Sequence, residues 1–136
     1  VIDIRQRFGE DPELYSRWGL KGHHGVDLRT KSSPDDSEGK QPVYAVLDGT
    51  VAQAAENDNN GKFICLLHKG DSETVYLHLD ALKAVKDQLV KAGDIVGISG
   101  NTGFSTAPHL HFGYRPPNYN LDNGYKGYED PEQLFV

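Results

Sequence analysis

Residues 63–79 of the chain, FICLLHKGDSETVYLHL, decide the fold class. Phe63–His68 is a short, mostly apolar run, and Thr74–Leu79 combines branched and aromatic side chains, a composition typical of β-strands. The segment between them, Lys69-Gly70-Asp71-Ser72-Glu73, is polar and contains a glycine, which favours a turn. The two runs therefore predict an antiparallel hairpin.

Further strand and turn signals flank this hairpin on both sides. Strands are predicted at Val43–Leu47, Thr50–Ala55, Asp94–Ile98 and Leu110–Tyr114, with turns at Asp48-Gly49 and Asn57–Gly61. Short helical turns are predicted at Asp11–Trp18 (Asp11 as N-cap, Pro12 at the first position), Asp80–Val85 and Asp130–Phe135. The sequence contains no internal repeat and no pattern for a long helix. The expected fold is mostly β and antiparallel, with few short helical turns.

Composition and charge limit the classes of function. The chain has 136 residues, 37% of them apolar and 25% charged, which fits one folded domain over residues 1–136. Acidic residues outnumber basic ones by 20 to 14, giving a net charge of −6, so no nucleic-acid partner is expected. No uncharged apolar run approaches the roughly 20 residues that cross a bilayer, so no transmembrane segment is expected.

The start of the chain and its lone cysteine give two further expectations. The sequence begins at Val1 and contains no methionine, so we expect it to be excised from a longer protein that carries an additional targeting domain. Cys65 lies in an apolar run, which favours a small buried side chain over a catalytic thiol.

Histidines carry the strongest chemical signal. His109-Leu110-His111 stands at the start of a predicted strand, so both imidazoles should project from one face while Leu110 faces the core. His23 and Asp27, four residues apart, add an imidazole and a carboxylate. Two imidazoles and one carboxylate, with a fourth position open to water, form the ligand set of a catalytic zinc site. Geometry alone does not choose between His109 and His111 as a ligand.

The other three histidines differ in their expected roles. His78 lies on an alternating strand and offers another inward polar group. His68 ends a strand beside Lys69 and is interpreted as structural. His24 is also interpreted as structural, because in an extended backbone it should point away from His23.

The sequence does not match the motifs of three other functional classes. The glycine-rich bend Gly97–Gly103 matches neither phosphate-binding motif, and no long helix follows it. No G-x-S-x-G elbow is present for a nucleophilic serine. Val90–Gly97 is suggestive of a biotinyl or lipoyl carrier hairpin, but the methionines that flank a biotinylated lysine are missing from this chain.

A specific set of motifs follows in order along the chain. They are His23-x-Gly-x-Asp27, Pro42–Ala45, Asp48–Val51, Tyr76–Leu79, Gly97–Gly103, Ser105-Thr106 and Pro108–Phe112. Through these motifs most of the chain resembles the catalytic domain of the lysostaphin-type (LytM-like) zinc metallopeptidases, which cut peptide bonds in bacterial peptidoglycan. The resemblance implies an antiparallel two-sheet β core with an open substrate groove.

The resemblance also implies the site and its setting. It assigns the metal ligands to His23, Asp27 and His111, with one Zn²⁺ per chain, and two catalytic histidines that do not bind metal to His78 and His109. It does not divide the roles of base and oxyanion stabiliser between the last two. The implied substrate is peptidoglycan peptides. The implied location is extracytoplasmic (periplasm, cell wall or secreted) or on a phage virion.

Three features depart from the family pattern and bear on the groove walls. Residues 31–41 form a longer loop with Ser32–Gly39 as inserted material, Gly113 replaces an acidic residue of many relatives, and residues 114–129 are expanded. Candidate groove walls next to the motifs are Trp18, Phe104, Tyr114 and the tail tyrosines.

Two questions stay open at this level. The bond that is cut can be a glycyl bridge, a D-alanyl cross-link or a stem-peptide bond. The alternative function is a catalytically inactive relative that acts as a cell-wall or regulatory binding module. Such relatives usually lack one or more ligands, whereas all five residues are present here.

Overall fold

The computed structural model describes residues 3–135 of the chain. They form β1 (Ile4–Gln6), β2 (Val26–Leu28), β3 (Pro42–Tyr44), β4 (Gly49–Asn57), β5 (Gly61–Leu67), β6 (Glu73–Leu82), β7 (Leu89–Val90), β8 (Ile95–Ser99) and β9 (Leu110–Arg115). A short helix, α1 (Pro12–Tyr15), and 3₁₀ turns at Ser16–Trp18, Lys69–Asp71 and Pro131–Leu134 accompany the strands. All the strand pairings are antiparallel, so the mostly β prediction is confirmed. No helix within the described residues is long and apolar enough to cross a membrane.

The predicted central hairpin is formed by β5 and β6. Their register runs from Leu67 opposite Glu73, at the connection, to Lys62 opposite Leu79. The polar connection contains the 3₁₀ turn Lys69–Asp71, in which Gly70 has a positive φ of 78°. Apolar runs on both sides of a polar, glycine-containing turn were therefore sufficient to predict this pairing.

Strand β6 joins all parts of the sheet. The hydrogen-bonded order is β1-β2-β9-β6-β5-β4-β7, and β3 is attached through β8, which pairs with β6. The first half of β6 pairs with β9 and its second half with β8, on the edge opposite β5. Because one long strand changes partners, the nine strands form one connected sheet, and the expected division into two sheets is not confirmed.

The change of partner occurs at His78. Leu77 pairs with His111 of β9, whereas Leu79 pairs with Ser99 of β8. Between them, His78 has a left-handed φ of 66°, and its N–H donates to the carbonyl oxygen of Asn60 at 2.9 Å. This irregularity breaks the simple alternation of the strand, so Leu77 and His78 both line the same cavity while Leu79 enters the core.

The apolar side chains form two clusters of different size. The larger one, the main core, consists of Val26, Val43, Ala45, Val51, Ile64, Leu66, Tyr76, Leu79, Ala84, Val90, Val96 and Phe112. The smaller one consists of Phe63, Cys65, Val75 and Leu77, the alternate positions of β5 and β6. The two faces of the hairpin therefore have separate functions, and Cys65 is a small buried side chain as predicted.

Two local predictions need correction, and one is confirmed. Asp80–Val85 is not a helical turn, because β6 continues to Leu82 and its backbone pairs with β8. Asp11 precedes α1, but its side chain makes no capping hydrogen bond, since its backbone is left-handed with φ 55°. At the tail, Asp130 does cap the predicted short helix, where its carboxylate accepts the N–H of Glu132 at 2.9 Å.

Candidate metal centre

Three buried donor atoms converge at the junction of β2 and β9. His23 Nε2 lies 3.1 Å from His111 Nδ1. Both nitrogens lie 3.2 Å from Asp27 Oδ1. These three residues form a group that could hold a metal ion. They are the same three that the sequence resemblance assigns as ligands.

Strand pairing and backbone contacts position these donors. Asp27 on β2 and His111 on β9 are directly opposite in the antiparallel register. His23 precedes β2, and its Nδ1 lies 3.1 Å from the carbonyl oxygen of Arg7. The intervening Gly25 permits the close approach, because a Cβ there would lie 2.5 Å from the Phe112 carbonyl oxygen and 2.7 Å from His111 Nε2.

Two further imidazoles stand beside this cluster. His78 Nδ1 lies 2.8 Å from the carbonyl oxygen of Thr102, and His109 Nδ1 lies 2.8 Å from that of Ala107. Their ring centroids are 5.0 Å apart, and His109 Nε2 is 3.6 Å from Asp27 Oδ1. A carbonyl oxygen only accepts, so each Nδ1 must carry the proton, and each Nε2 presents a lone pair.

The glycine-rich bend after β8 serves this arrangement. Thr102 holds its own carbonyl in place, because its hydroxyl donates to the Leu79 carbonyl oxygen at 2.6 Å and accepts the Lys62 N–H at 3.0 Å. The Thr102 carbonyl oxygen in turn anchors the His78 ring through Nδ1. The bend therefore positions an imidazole, which agrees with the exclusion of a phosphate-binding motif.

Burial sets the protonation of the cluster. Burial, together with the nearby His111 and His109, lowers the pKa of His78 to about 4. It also lowers the pKa of His111, although the bond to Asp27 opposes that shift. Burial alone would raise the pKa of Asp27, but the close contacts with His111 and His23 hold it below its usual value. Neutral His78 and His111 therefore stand beside an ionised Asp27 at neutral pH.

A cavity of about 490 Å³ opens onto these groups. Its floor is the smaller apolar cluster, and His24, His78 and His111 lie in its walls. We call it the groove. At the end near the β4–β5 turn, the rings of Trp18 and Phe104 meet at 5.2 Å, with the Arg17 guanidinium 4.9 Å from the Trp18 ring centre. These three residues form the aromatic end.

The opposite end of the groove, near the β5–β6 connection, is charged. Glu73, Arg115 and Lys126 line it and form the charged end, with the Tyr128 ring against them. Gly113 makes room for that ring, because a Cβ there would lie 3.2 Å from Tyr128 and 2.8 Å from Val75. The expanded segment 114–129 thus contributes directly to the groove.

The inserted loop 31–41, in contrast, contributes nothing to the groove walls. The Asp36 carboxylate organises it by accepting backbone N–H groups from Ser32, Glu38 and Gly39. These bonds lower the pKa of Asp36 to about 2. The loop lies outside the groove and is attached to β8, where the Ser99 hydroxyl donates to the Gly39 carbonyl oxygen at 2.7 Å.

His24 departs from the sequence prediction. Its ring lies 4.8 Å from that of His111 and 5.4 Å from that of Tyr128, in the groove wall rather than pointing away. The reason is that residues 21–25 form bends instead of an extended strand. Burial, together with the neighbouring His111, His23 and Lys126, lowers the pKa of His24 to about 2.

The other residues singled out in the sequence are either groove walls or buried structural residues. Trp18, Phe104 and Tyr128 line the groove, as expected of walls, whereas Tyr114 is buried and does not. His68 is structural, as interpreted: its ring nitrogens lie 2.8 Å from the Asp48 carbonyl oxygen and 2.7 Å from the Thr74 hydroxyl.

Three groove residues were missed by sequence reasoning. Tyr15 packs its ring 5.1 Å from that of His23, and burial raises the pKa of its phenol. Arg115 and Lys126 form the cationic part of the charged end. No local pattern marks any of them. The position of Arg115, four residues after His111 on one strand, was the available signal, because alternate residues share a face.

Comparison with known proteins identifies the family. The pattern described as Peptidase family M23 matches residues 21–123. The chain belongs to peptidase family M23. Among its M23 relatives, a peptidoglycan DD-endopeptidase of Vibrio cholerae is 37% identical over 90 residues, 66% of this chain and 20% of that protein. A glycyl-glycine endopeptidase of Staphylococcus capitis is 39% identical over 98 residues, 69% of this chain and 25% of that protein.

Solved structures agree with this membership. Lysostaphin from Staphylococcus simulans superposes with a TM-score of 0.75 at 27% identity, covering 98% of this chain and 48% of that one. A zinc-containing peptidase from Vibrio cholerae superposes with a TM-score of 0.69 at 28% identity, covering 95% of this chain and 36% of that one. The predicted family and metallopeptidase class are confirmed. The chain spans about a quarter or less of the two relatives named above.

Proposed function

We propose that residues 1–136 form the catalytic domain of a zinc-dependent endopeptidase that hydrolyses peptide bonds in bacterial peptidoglycan. In this proposal His23, Asp27 and His111 bind one Zn²⁺, while His78 and His109 move protons. The observation that carries it is the convergence of His23 Nε2, Asp27 Oδ1 and His111 Nδ1, 3.1 to 3.2 Å apart, beside the groove that His111 lines.

The donor set fits zinc in chemistry and spacing. Imidazole nitrogens and a carboxylate oxygen are zinc ligands, and tetrahedral bonds of about 2.0–2.1 Å place neighbouring ligand atoms roughly 3.3 Å apart. His23 Nδ1 binds the Arg7 carbonyl, so Nε2 presents a lone pair towards His111 Nδ1. A shared cation satisfies two facing nitrogens and a carboxylate together.

Zinc bound at this set supplies an activated water nucleophile and polarises the scissile carbonyl. The chain's own histidines supply the proton transfers. His78 and His109 each hold a proton on Nδ1 for a backbone carbonyl, which leaves Nε2 to accept a proton and return it to the leaving nitrogen. The lowered pKa of His78 keeps its imidazole neutral at pH 7, so its Nε2 lone pair is available.

Peptidoglycan peptides are the proposed substrate, and the proposed location is extracytoplasmic. The support is that relatives are named peptidoglycan DD-endopeptidase and glycyl-glycine endopeptidase, both matched over about two thirds of this chain. These relatives are several times longer than the matched segment, which supports an additional targeting domain in the full-length protein. A phage virion is the alternative location.

The test is zinc analysis together with digestion of purified peptidoglycan. We expect about one zinc per chain, released peptide fragments, and activity that a chelator removes and added zinc restores. Asp27→Asn should lose zinc and activity. Asp35→Asn, which removes an exposed carboxylate from the loop 31–41, should retain both.

Two results would contradict the proposal. Full hydrolysis by metal-free protein would exclude the zinc centre. A folded, zinc-loaded chain that binds peptidoglycan but releases no fragment would support the inactive binding module instead.

A further inference from the structure

Arg115 is rigidly held at the charged end of the groove. Its Nε donates to the Lys126 carbonyl oxygen at 2.9 Å, and its Nη1 lies 3.5 Å from Glu73 Oε2. The guanidinium lies between two aromatic rings, 4.3 Å from the centre of Tyr128 and 4.9 Å from that of Tyr119. Since a guanidinium has five N–H donors, this arrangement leaves several available to the groove.

Lys126 is held next to it by an ordered turn. Its backbone is left-handed, with φ 54°. The Asn123 side chain accepts the N–H groups of Tyr125 and Gly127 and donates to the Tyr128 carbonyl oxygen, which fixes the turn around Lys126. Among residues 3–135, no carboxylate lies within ion-pair distance of the Lys126 ammonium.

The charge of this corner is opposite to that of the whole chain. The net charge is −6, yet two cationic side chains, Arg115 and Lys126, line the groove here, and Arg115 Nε donates to the backbone carbonyl oxygen of Lys126. Glu73 offsets the charge of Arg115, whereas the charge of Lys126 has no such partner among the described residues. This end of the groove therefore favours an anionic group of a ligand.

We propose that the charged end binds a carboxylate of the peptide substrate, with Lys126 setting the preference and Arg115 beside it. This inference rests on the proposed function, because the groove then holds a peptide. Carboxylate is the favoured anion, since Arg115 already binds one in Glu73 and a guanidinium matches carboxylate geometry. The carboxylate can belong to an acidic side chain or to a chain terminus.

The decisive variant is Lys126→Asn. Asparagine tolerates the left-handed backbone, and the carbonyl that binds Arg115 is retained, so the turn should persist. Lys126→Glu places a negative charge at the same point. The matched control is Lys91→Asn, because Lys91 is exposed and lies outside the groove.

Two pairs of defined peptides serve as substrates. The members of the first pair differ only in an internal acidic side chain, present as carboxylate or carboxamide. The members of the second differ only in a terminal carboxylate or amide. The measured preference is the ratio of kcat/KM for the carboxylate member to that for the amide member of each pair. A preference in the first pair indicates an acidic side chain as the bound group, and a preference in the second pair indicates a chain terminus.

We expect the zinc-loaded chain to prefer the carboxylate in one pair by about three- to ten-fold, a range typical of a partly exposed ion pair in a binding site. Lys126→Asn should reduce that ratio to near one by lowering kcat/KM for the carboxylate member more than for the amide member, and Lys126→Glu should reverse it. Lys91→Asn should keep the ratio of the unaltered chain. High salt should weaken the preference.

Equal cleavage within both pairs would overturn the inference while leaving the proposed function intact. So would a Lys126→Asn variant that slows both members of a pair equally, because that result indicates a structural role. If neither the peptides nor purified peptidoglycan is cleaved, the proposed function fails instead. Calorimetric binding of the same pairs then decides the carboxylate preference separately.

Discussion

The two faces of β9 show how one strand builds both the core and the site. Phe112 is 2% exposed and packs in the main core, whereas its neighbour His111 is 3% exposed and belongs to the cluster that could hold a metal ion. Both are equally buried, so burial alone does not distinguish them. The difference is that apolar contacts satisfy Phe112, while His111 needs a polar partner. The geometry of the site is therefore set by the packing of alternate residues on the same strand.

In strand β6, residues alternate between the core and the groove until His78, where the alternation is broken. Tyr76 and Leu79 face the core, and a regular strand would send residue 78 to the core face as well. The left-handed backbone of His78 returns its side chain to the groove. A strained residue is thus held at the point where the proposed chemistry uses an imidazole, and strained residues often cluster at functional sites.

The largest expected effect comes from removing one of the three side chains that are proposed to bind zinc. His23→Ala, Asp27→Ala and His111→Ala should each reduce bound zinc to a small fraction and hydrolysis to background, because each removes one of three protein ligands. Zinc content by mass spectrometry and fragment release from peptidoglycan are the measurements. Stoichiometric zinc in any of these variants would remove that residue from the ligand set.

The second effect separates proton transfer from metal binding. His78→Ala and His109→Ala should keep nearly one zinc per chain while turnover falls by about 10²–10⁴-fold. Turnover is measured on a defined cross-linked peptide at saturating zinc. The matched control is His68→Asn, which alters a buried histidine outside the groove and should preserve turnover in the folded fraction. A fully active His78→Ala variant would return that residue to a structural role.

The third effect concerns the opposite face of β9. Phe112→Ala should lower the free energy of unfolding by about 3–5 kcal/mol, because it leaves a cavity in the main core. Phe104→Ala removes the same side chain at a position that is 47% exposed, so the loss should stay below about 1 kcal/mol. Denaturant unfolding of the metal-free chains measures both. Similar losses in the two variants would contradict the assignment of the faces.

The smallest effect is the pH dependence of stability in the metal-free chain. Folding lowers the pKa of His78 to about 4 and that of His24 to about 2, both by burial first, from an ordinary value near 6.5. The unfolded chain therefore binds more protons below pH 6.5, so the free energy of unfolding should fall from pH 6.5 to pH 4. The lowered pKa of Asp27 extends the loss below about pH 4.

Denaturant unfolding at a series of pH values measures this slope, and His24→Gln should make it shallower by removing one of the contributing groups. A stability that stays constant from pH 7 to pH 4 would contradict the burial of neutral imidazoles in the groove wall.

Sequence patterns predicted the strands well where local chemistry determines them. The hairpin of β5 and β6 follows from apolar runs around a polar turn, and the five candidate site residues follow from motifs whose order resembles that of the family. The prediction of a helical turn at Asp80–Val85 was wrong, because the extended conformation there depends on pairing with β8, which is distant in sequence. The prediction for His24 assumed an extended backbone, whereas residues 21–25 form bends, which have no sequence period to detect.

The charged end of the groove lay beyond sequence reasoning for a related reason. Lys126 reaches the groove because Asn123 fixes a turn and Gly113 leaves space for Tyr128. Each contact joins positions that are remote in the chain or depends on backbone angles. Local propensity carries no information on either.

The central claim is that His23, Asp27 and His111 bind zinc while His78 and His109 act on protons. The most direct test is zinc per chain, measured side by side for the five single alanine variants. The account predicts a small fraction of one zinc for the first three variants and close to one for the last two. Loss of zinc from His109→Ala with retention by His111→Ala would contradict it and reverse the ligand assignment.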